Sequence, residues 1–192
     1  MKYQPHNFDF VFANVNGKDK NEQILNACDW MSYWLKFKHM CGQKGCVIFD
    51  IDDTLVDDKE KQIANVIRIY KQCLKYGNVV NIITARPESK INRQRTEEML
   101  NERGINEYEA LYMMPSDIKP TLHSISNFKY LARKDVASRY PILANLGDMW
   151  SDHLKYPTKI NELNDLDVKM CALFFCPGTN YPSLKLPGMS ST

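Results

Sequence analysis

Cys46-Val47-Ile48-Phe49-Asp50-Ile51-Asp52-Asp53-Thr54-Leu55 carries four apolar residues straight into a run rich in acids. The apolar four read as a short buried strand, set off from the preceding residues by Gly42 and Gly45. Asp50 and Asp52 then stand at a strand end, close to a buried sheet, where like charges are costly unless a cation or a shared proton compensates. Magnesium answers that need, because it prefers hard carboxylate oxygens. Asp57, Asp58 and Glu60 come next, and their charges suit the first turn of a helix.

Outward from this stretch, helical and strand-like patterns alternate. Residues 19 to 38 place Ile24, Ala27, Cys28, Met31, Trp34 and Leu35 at spacings of three and four, the signature of an amphipathic helix. The same periodicity predicts helices over 59–76, 89–103 and 127–140. Short apolar runs at Val79 to Ile83, Ala110 to Met114, Ile142 to Asn145 and Ala172 to Phe175 predict four more strands. Pro87 fits a loop or a first turn, and 115–120 a loop. Apolar strands separated by amphipathic helices predict an α/β fold with a mostly parallel, five-stranded sheet covered on both faces. Ligands of such sheets bind beyond the carboxyl ends of the strands, where Asp50, Thr84, Met114-Pro115 and Gly147-Asp148 stand.

A chain of 192 residues, 44% apolar, suits one domain over 1–192, with 1–18 as a peripheral segment and 177–192 as an irregular tail. With 25 Lys and Arg against 23 Asp and Glu there is no concentrated basic surplus, so nucleic acid is unsupported as a partner, although not excluded. No apolar run approaches the 18 or more residues of a membrane helix, and the first fifteen residues make a poor signal peptide. A cytoplasmic setting with six reduced cysteines is the expectation. The Cys-x4-Cys spacings at 41/46 and 171/176 are wider than usual zinc spacings, and no adjacent histidine completes a set.

Asp50 and Asp52 gain weight from three features further along the chain, at successive intervals of 34, 45 and 19 residues: the hydroxyl of Thr84, a lysine at 129, and the acidic segment Gly147-Asp148-Met149-Trp150-Ser151-Asp152. Lys119 and Lys134 lie in the same interval as Lys129 and rival it. The whole set resembles the haloacid dehalogenase-like superfamily of phosphotransferases, most closely its acid phosphatase branch. The motifs are Asp50-Ile51-Asp52-Asp53-Thr54-Leu55, Ile83-Thr84-Ala85-Arg86-Pro87, Phe128-Lys129-Tyr130-Leu131-Ala132-Arg133 and Asn145 to Asp152, of which the last is the most branch-specific. The branch usually has Glu where Asp53 stands. The resemblance spans roughly Ile24 to Asp152, and its Lys-x3-Arg pattern selects Lys129.

The resemblance implies a Rossmann-like three-layer sandwich with little or no cap domain. It also implies phosphomonoester hydrolysis through an aspartyl-phosphate, with Asp50 as nucleophile and Asp52 as general acid and base. Mg2+ would be held by Asp50, the backbone carbonyl of Asp52, and Asp148, while Thr84 and Lys129 would bind phosphoryl oxygens. Asp152 would support the metal or Lys129, Thr54 would fix the loop by hydrogen bonds, and Arg86 would serve substrate or a neighbouring residue. Trp150 is open between a site wall and ordinary core. None of the four histidines receives a role, with His153 the one that could approach the cleft. The intervals around Thr84 have no room for a separate lid, so an open cleft accepting several small phosphomonoesters is expected. A nucleotide or polynucleotide phosphatase or phosphotransferase would share this core, and a non-catalytic storage or interaction protein could share the fold. A homodimer is left open.

Overall fold

A computed structural model describes residues 12–155, 171–175 and 179–188. In chain order the elements are β1 (Phe12–Asn14), α1 (Lys20–Met40), β2 (Cys46–Phe49), α2 (Ala64–Lys75), β3 (Val79–Glu88), α3 (Lys90–Glu102), β4 (Ala110–Pro115), α4 (Leu122–Arg139), β5 (Ile142–Gly147), β6 (Ala172–Phe175) and β7 (Pro182–Lys185). They build one mixed sheet in the order β1-β6-β7-β5-β2-β3-β4, parallel from β7 to β4 and antiparallel where β6 joins β7 and β1.

Alternation along β2 explains the layers. Val47 and Phe49 join the core formed with α1, α2 and α3, whereas Cys46 and Ile48 point to the opposite face and pack with Ala132 and Val136 of α4. A strand sandwiched this way needs apolar residues at every position, which is why its sequence shows a run instead of an alternation. The helices begin where side chains can cap them: Asp19 accepts the N–H of Glu22 at 2.9 Å, and Ser89 that of Asn92 at 3.1 Å. Gly77, at φ 68°, supplies the left-handed turn after α2 from which the chain enters β3.

Among the described residues the sheet has seven strands, two more than expected. The segment 1–18 contributes edge strand β1, and the tail 177–192, expected to be irregular, contributes β7 between β5 and β6. Pro182 is compatible with this because it occupies the first position of the strand. Residues 1–11, 156–170, 176–178 and 189–192 lie outside the described residues.

Three boundaries also move. Residues 59–63 are not helical: the Asp57 carboxylate accepts the N–H groups of Lys59 (2.9 Å) and Lys61 (2.8 Å), Glu60 takes φ 56°, and Val56 bridges Gln62. Asp57 thus stabilises a turn that competes with the helix, and α2 starts at Ala64. Helix α4 starts at Leu122, because Thr121 and Ser124 form a reciprocal cap immediately after Pro120. Strand β3 continues through Pro87 by way of an irregularity between Thr84 and Pro87. The intervals from Asp50 to Thr84 and from Thr84 to Lys129 hold only α2, β3, α3, β4, the first turns of α4 and their connections.

Candidate active site

The register of the central strands aligns three of the expected residues. Phe49 pairs with Ile82 of β3 on one side and Leu146 of β5 on the other. Asp50 lies one residue beyond that row, and Thr84 and Asp148 lie two beyond it. Asp50 still belongs to the sheet through its N–H, which donates to the Leu146 carbonyl at 3.0 Å. The chain then tightens: the Ile51 carbonyl accepts from Thr54, Leu55 and Val56, at 3.2, 2.8 and 3.1 Å, and Asp53 adopts φ 52°. This turn buries Ile51 and Leu55 and leaves Asp52 exposed. Main-chain bonds therefore brace the loop. Thr54, expected to fix the loop by hydrogen bonds, takes part through its N–H, while its buried hydroxyl has no hydrogen-bond partner among the described residues.

At the end of β5 the chain folds Asp152 back under Gly147. The Asp152 carboxylate accepts the Met149 N–H at 2.9 Å, and its carbonyl accepts from Asn145 Nδ2 at 2.9 Å and from Arg133. Lys129 and Arg133, one helical turn apart on α4, face this turn together. The Lys129 ammonium lies 3.0 Å from Asp50 Oδ1 and also contacts Asp152 Oδ1. The fold at Gly147 leaves no room for a side chain, since a Cβ there would sit 2.6 Å from Asp152 Cγ and closer still to its neighbours. Gly147→Ala is thus expected to dislodge Asp152 and to cost about 1–3 kcal/mol of stability, with turnover falling together with it. Denaturant unfolding checks this, and a change below about 0.5 kcal/mol would contradict the packing.

Burial dominates the electrostatics. It pushes the Asp50 carboxyl up to about 7 against the pull of Lys129, and the Asp148 carboxyl up to about 9, with Asp152 and Asp50 adding to the latter. Burial acts on Asp152 in the same direction, but Lys129, His153 and the Met149 N–H overcome it and hold that carboxyl below its ordinary value. Lys129 is held above its ordinary value by Asp152 and Asp50, against its own desolvation. The carboxylate oxygens of Asp50, Asp148 and Asp152 come within 4.8 Å of one another, and all three residues are buried. Three carboxylates with one ammonium among them form a hard-oxygen cluster short of positive charge. Such a cluster is able to chelate a divalent metal.

The other expected residues divide around this cluster. Asp52 is outside it, paired with Arg86: Nη2 lies 2.6 Å from Oδ1 and Nε 3.1 Å from Oδ2. Thr84 is fully buried, with its hydroxyl accepting the Arg86 N–H at 3.3 Å. Trp150 is buried against Phe174, with ring centroids 5.3 Å apart. His153 packs edge-on to the same ring, and burial pushes its imidazole down to about 3. Sequence reasoning gave no role to two buried supports of this region. Asn145 stands out only as an amide inside an apolar run. Lys185, which donates to the Leu186 carbonyl at 3.1 Å, stands out only as a lysine between two leucines.

With this arrangement in view, comparison with known proteins is decisive at the level of the family. A family model described as HAD superfamily, subfamily IIIB (acid phosphatase) matches residues 57–165, more than half of the chain. The chain belongs to this family. Membership supports a phosphatase-like enzymatic activity. The matched span contains Thr84, Lys129, Asp148 and Asp152. Asp50 and Asp52 precede it, and the sheet brings Asp50 against Lys129 all the same. No curated protein matches the sequence. Among the described residues no helix is long and apolar enough to cross a membrane.

Proposed function

We propose that this protein is a Mg2+-dependent phosphomonoesterase that works through an aspartyl-phosphate on Asp50, with small phosphomonoesters as substrates. The observation that carries the reading is the position of Asp50: buried at the end of a central strand, 3.0 Å from the Lys129 ammonium and clustered with two further carboxylates.

In this reading an Asp50 carboxylate oxygen forms a bond to phosphorus while the bond from phosphorus to the leaving oxygen breaks. Asp52 delivers the proton that the leaving oxygen needs. In the second half Asp52 takes a proton from water, the water oxygen attacks phosphorus, and inorganic phosphate leaves with Asp50 restored. Lys129 neutralises charge on the phosphoryl oxygens and Thr84 directs its hydroxyl at them as they flatten in the transition state. Arg86 orients Asp52. The phosphoryl dianion competes for the same guanidinium, which releases Asp52 for its proton transfers.

Asp50, Asp148 and the carbonyl of Asp52 would hold Mg2+, with Asp152 supporting Lys129 and the acidic cluster. When bound, the ion offsets the repulsion between these carboxylates and a dianionic substrate. Chelation by EDTA is expected to abolish phosphatase turnover and Mg2+ to restore it, and Asp148→Ala to raise the Mg2+ needed for half-activation. Full turnover after exhaustive chelation would overturn the metal assignment.

The raised carboxyls of Asp50 and Asp148 also set the sign of a pH effect on the metal-free protein. Folding holds their protons beyond the range in which the unfolded chain releases them. Their stabilising contribution is therefore present below about pH 4 and is lost as pH rises through about 7 and about 9. Mg2+ needs the ionised carboxylates and acts in the opposite direction. The gap in Tm between Mg2+ and EDTA should widen from pH 5 to pH 9, and a gap that stays constant would contradict the cluster as the binding site.

A further inference from the structure

An open cavity of roughly 270 Å3 lies beside the catalytic loop, walled by Glu60, Arg86, Pro87, Asn92, Arg95 and Thr96. Its relation to the chemistry runs through one ion pair. Arg86 uses Nε and Nη2 to grip Asp52, which leaves Nη1 without a hydrogen bond among the described residues, and the same side chain forms part of the cavity wall. The group that protonates a leaving oxygen marks where the leaving group departs. On the reading of Asp52 as that group, the remainder of the substrate extends along Arg86 into this cavity.

The wall has a definite chemistry. The Arg95 residue is exposed and its guanidinium makes no hydrogen bond or ion pair among the described residues, unlike that of Arg93 on the same helix, which is tied to Glu88 and Glu97. Two guanidiniums, one wholly and one partly unengaged, share the cavity with a single carboxylate, that of Glu60. Asn92 donates its Nδ2 to the Pro87 carbonyl at 3.1 Å, so its Oδ1 is available to accept from a hydroxyl. Pro87 and the buried Thr96 complete the wall. Planar guanidiniums suit carboxylate and phosphate oxygens, which they can grip with two parallel N–H groups.

We infer that this cavity is a leaving-group subsite selecting phosphomonoesters that carry a second oxyanion, a carboxylate or a further phosphate, recognised by Arg95 together with Arg86. The inference rests on the phosphatase reading for its orientation, and the test separates the two. Binding is measured by calorimetry with Mg2+ on Asp50→Asn protein, which does not consume its ligand. Glucose 6-phosphate serves as the reference, 6-phosphogluconate as the carboxylate arm and glucose 1,6-bisphosphate as the phosphate arm. At least one arm should bind about tenfold more tightly than the reference, the tighter arm naming the second anion, and adding Arg95→Ala should remove that advantage. Both arms within threefold of the reference, or an advantage that survives Arg95→Ala, would overturn the subsite. Turnover by the parent protein on glucose 6-phosphate and p-nitrophenyl phosphate reports separately on the phosphatase reading. Its complete absence, with the binding difference intact, would remove that reading and leave the oxyanion site standing.

Discussion

Asp50→Asn protein should keep its fold and lose phosphatase turnover by at least about a hundredfold. The amide has the shape of the carboxylate but cannot form the same acyl-phosphate, so the covalent route closes. The substitution is gentle on the fold for a specific reason. It removes one negative charge from a cluster of three buried carboxylates that has a single lysine among them, and burial already pushes the Asp50 carboxyl up to about 7. Circular dichroism and steady-state hydrolysis of p-nitrophenyl phosphate check both halves of the expectation. Turnover within tenfold of the parent by correctly folded Asp50→Asn protein would exclude Asp50 as nucleophile.

Lys129→Met is expected to have the largest effect on stability. The side chain is nearly the same size, but the substitution takes away the ammonium shared by Asp50 and Asp152, both buried. Breaking a buried ion pair by removing one partner costs about 3–5 kcal/mol, because the charge left behind has lost its compensation. The loss should be largest in EDTA at neutral pH and above, and smaller at acidic pH, where the stranded carboxylates can take up protons. Turnover should also fall by at least about a hundredfold, since a cation facing the phosphoryl oxygens disappears. Urea unfolding at pH 5 and pH 8 gives the comparison. A change under about 1 kcal/mol at pH 8 would mean that Lys129 does not hold the cluster together.

Strands buried on both faces were readable from the sequence because they demand apolar residues at every position, as in Cys46 to Phe49. Helices covering them were readable because only one side is buried, as with Ile24, Ala27, Cys28, Met31 and Leu35 of α1. The convergence of Asp50 and Asp148 was legible for a similar reason, whereas Lys129, inside α4, was singled out only by the family resemblance. Strand ends of a parallel sheet lie at one edge, so residues just past apolar runs meet there.

The features that stayed hidden depended on partners distant in sequence or on local competition. Strand β7 contains Pro182 and Lys185, and only its two sheet neighbours make it a strand. Asp57 reads as a helix start, and the two N–H groups that it accepts make it part of a turn instead. Asp152 looked like support for metal or lysine, and it contacts Lys129 while belonging to the carboxylate cluster. Asp52 lies apart from that cluster because Arg86, 34 positions later, draws its carboxylate away. No spacing rule reports the angle at which a loop side chain leaves the chain.

The covalent claim is tested most directly by trapping. Protein mixed with a 32P-labelled phosphomonoester and Mg2+, then quenched in acid within the first turnover, should carry label that hydroxylamine releases, as expected of an acyl-phosphate, on the peptide containing Asp50. Asp50→Asn protein should carry none. Label found on a different residue, or an equal amount retained by Asp50→Asn protein, would contradict Asp50 as the nucleophile.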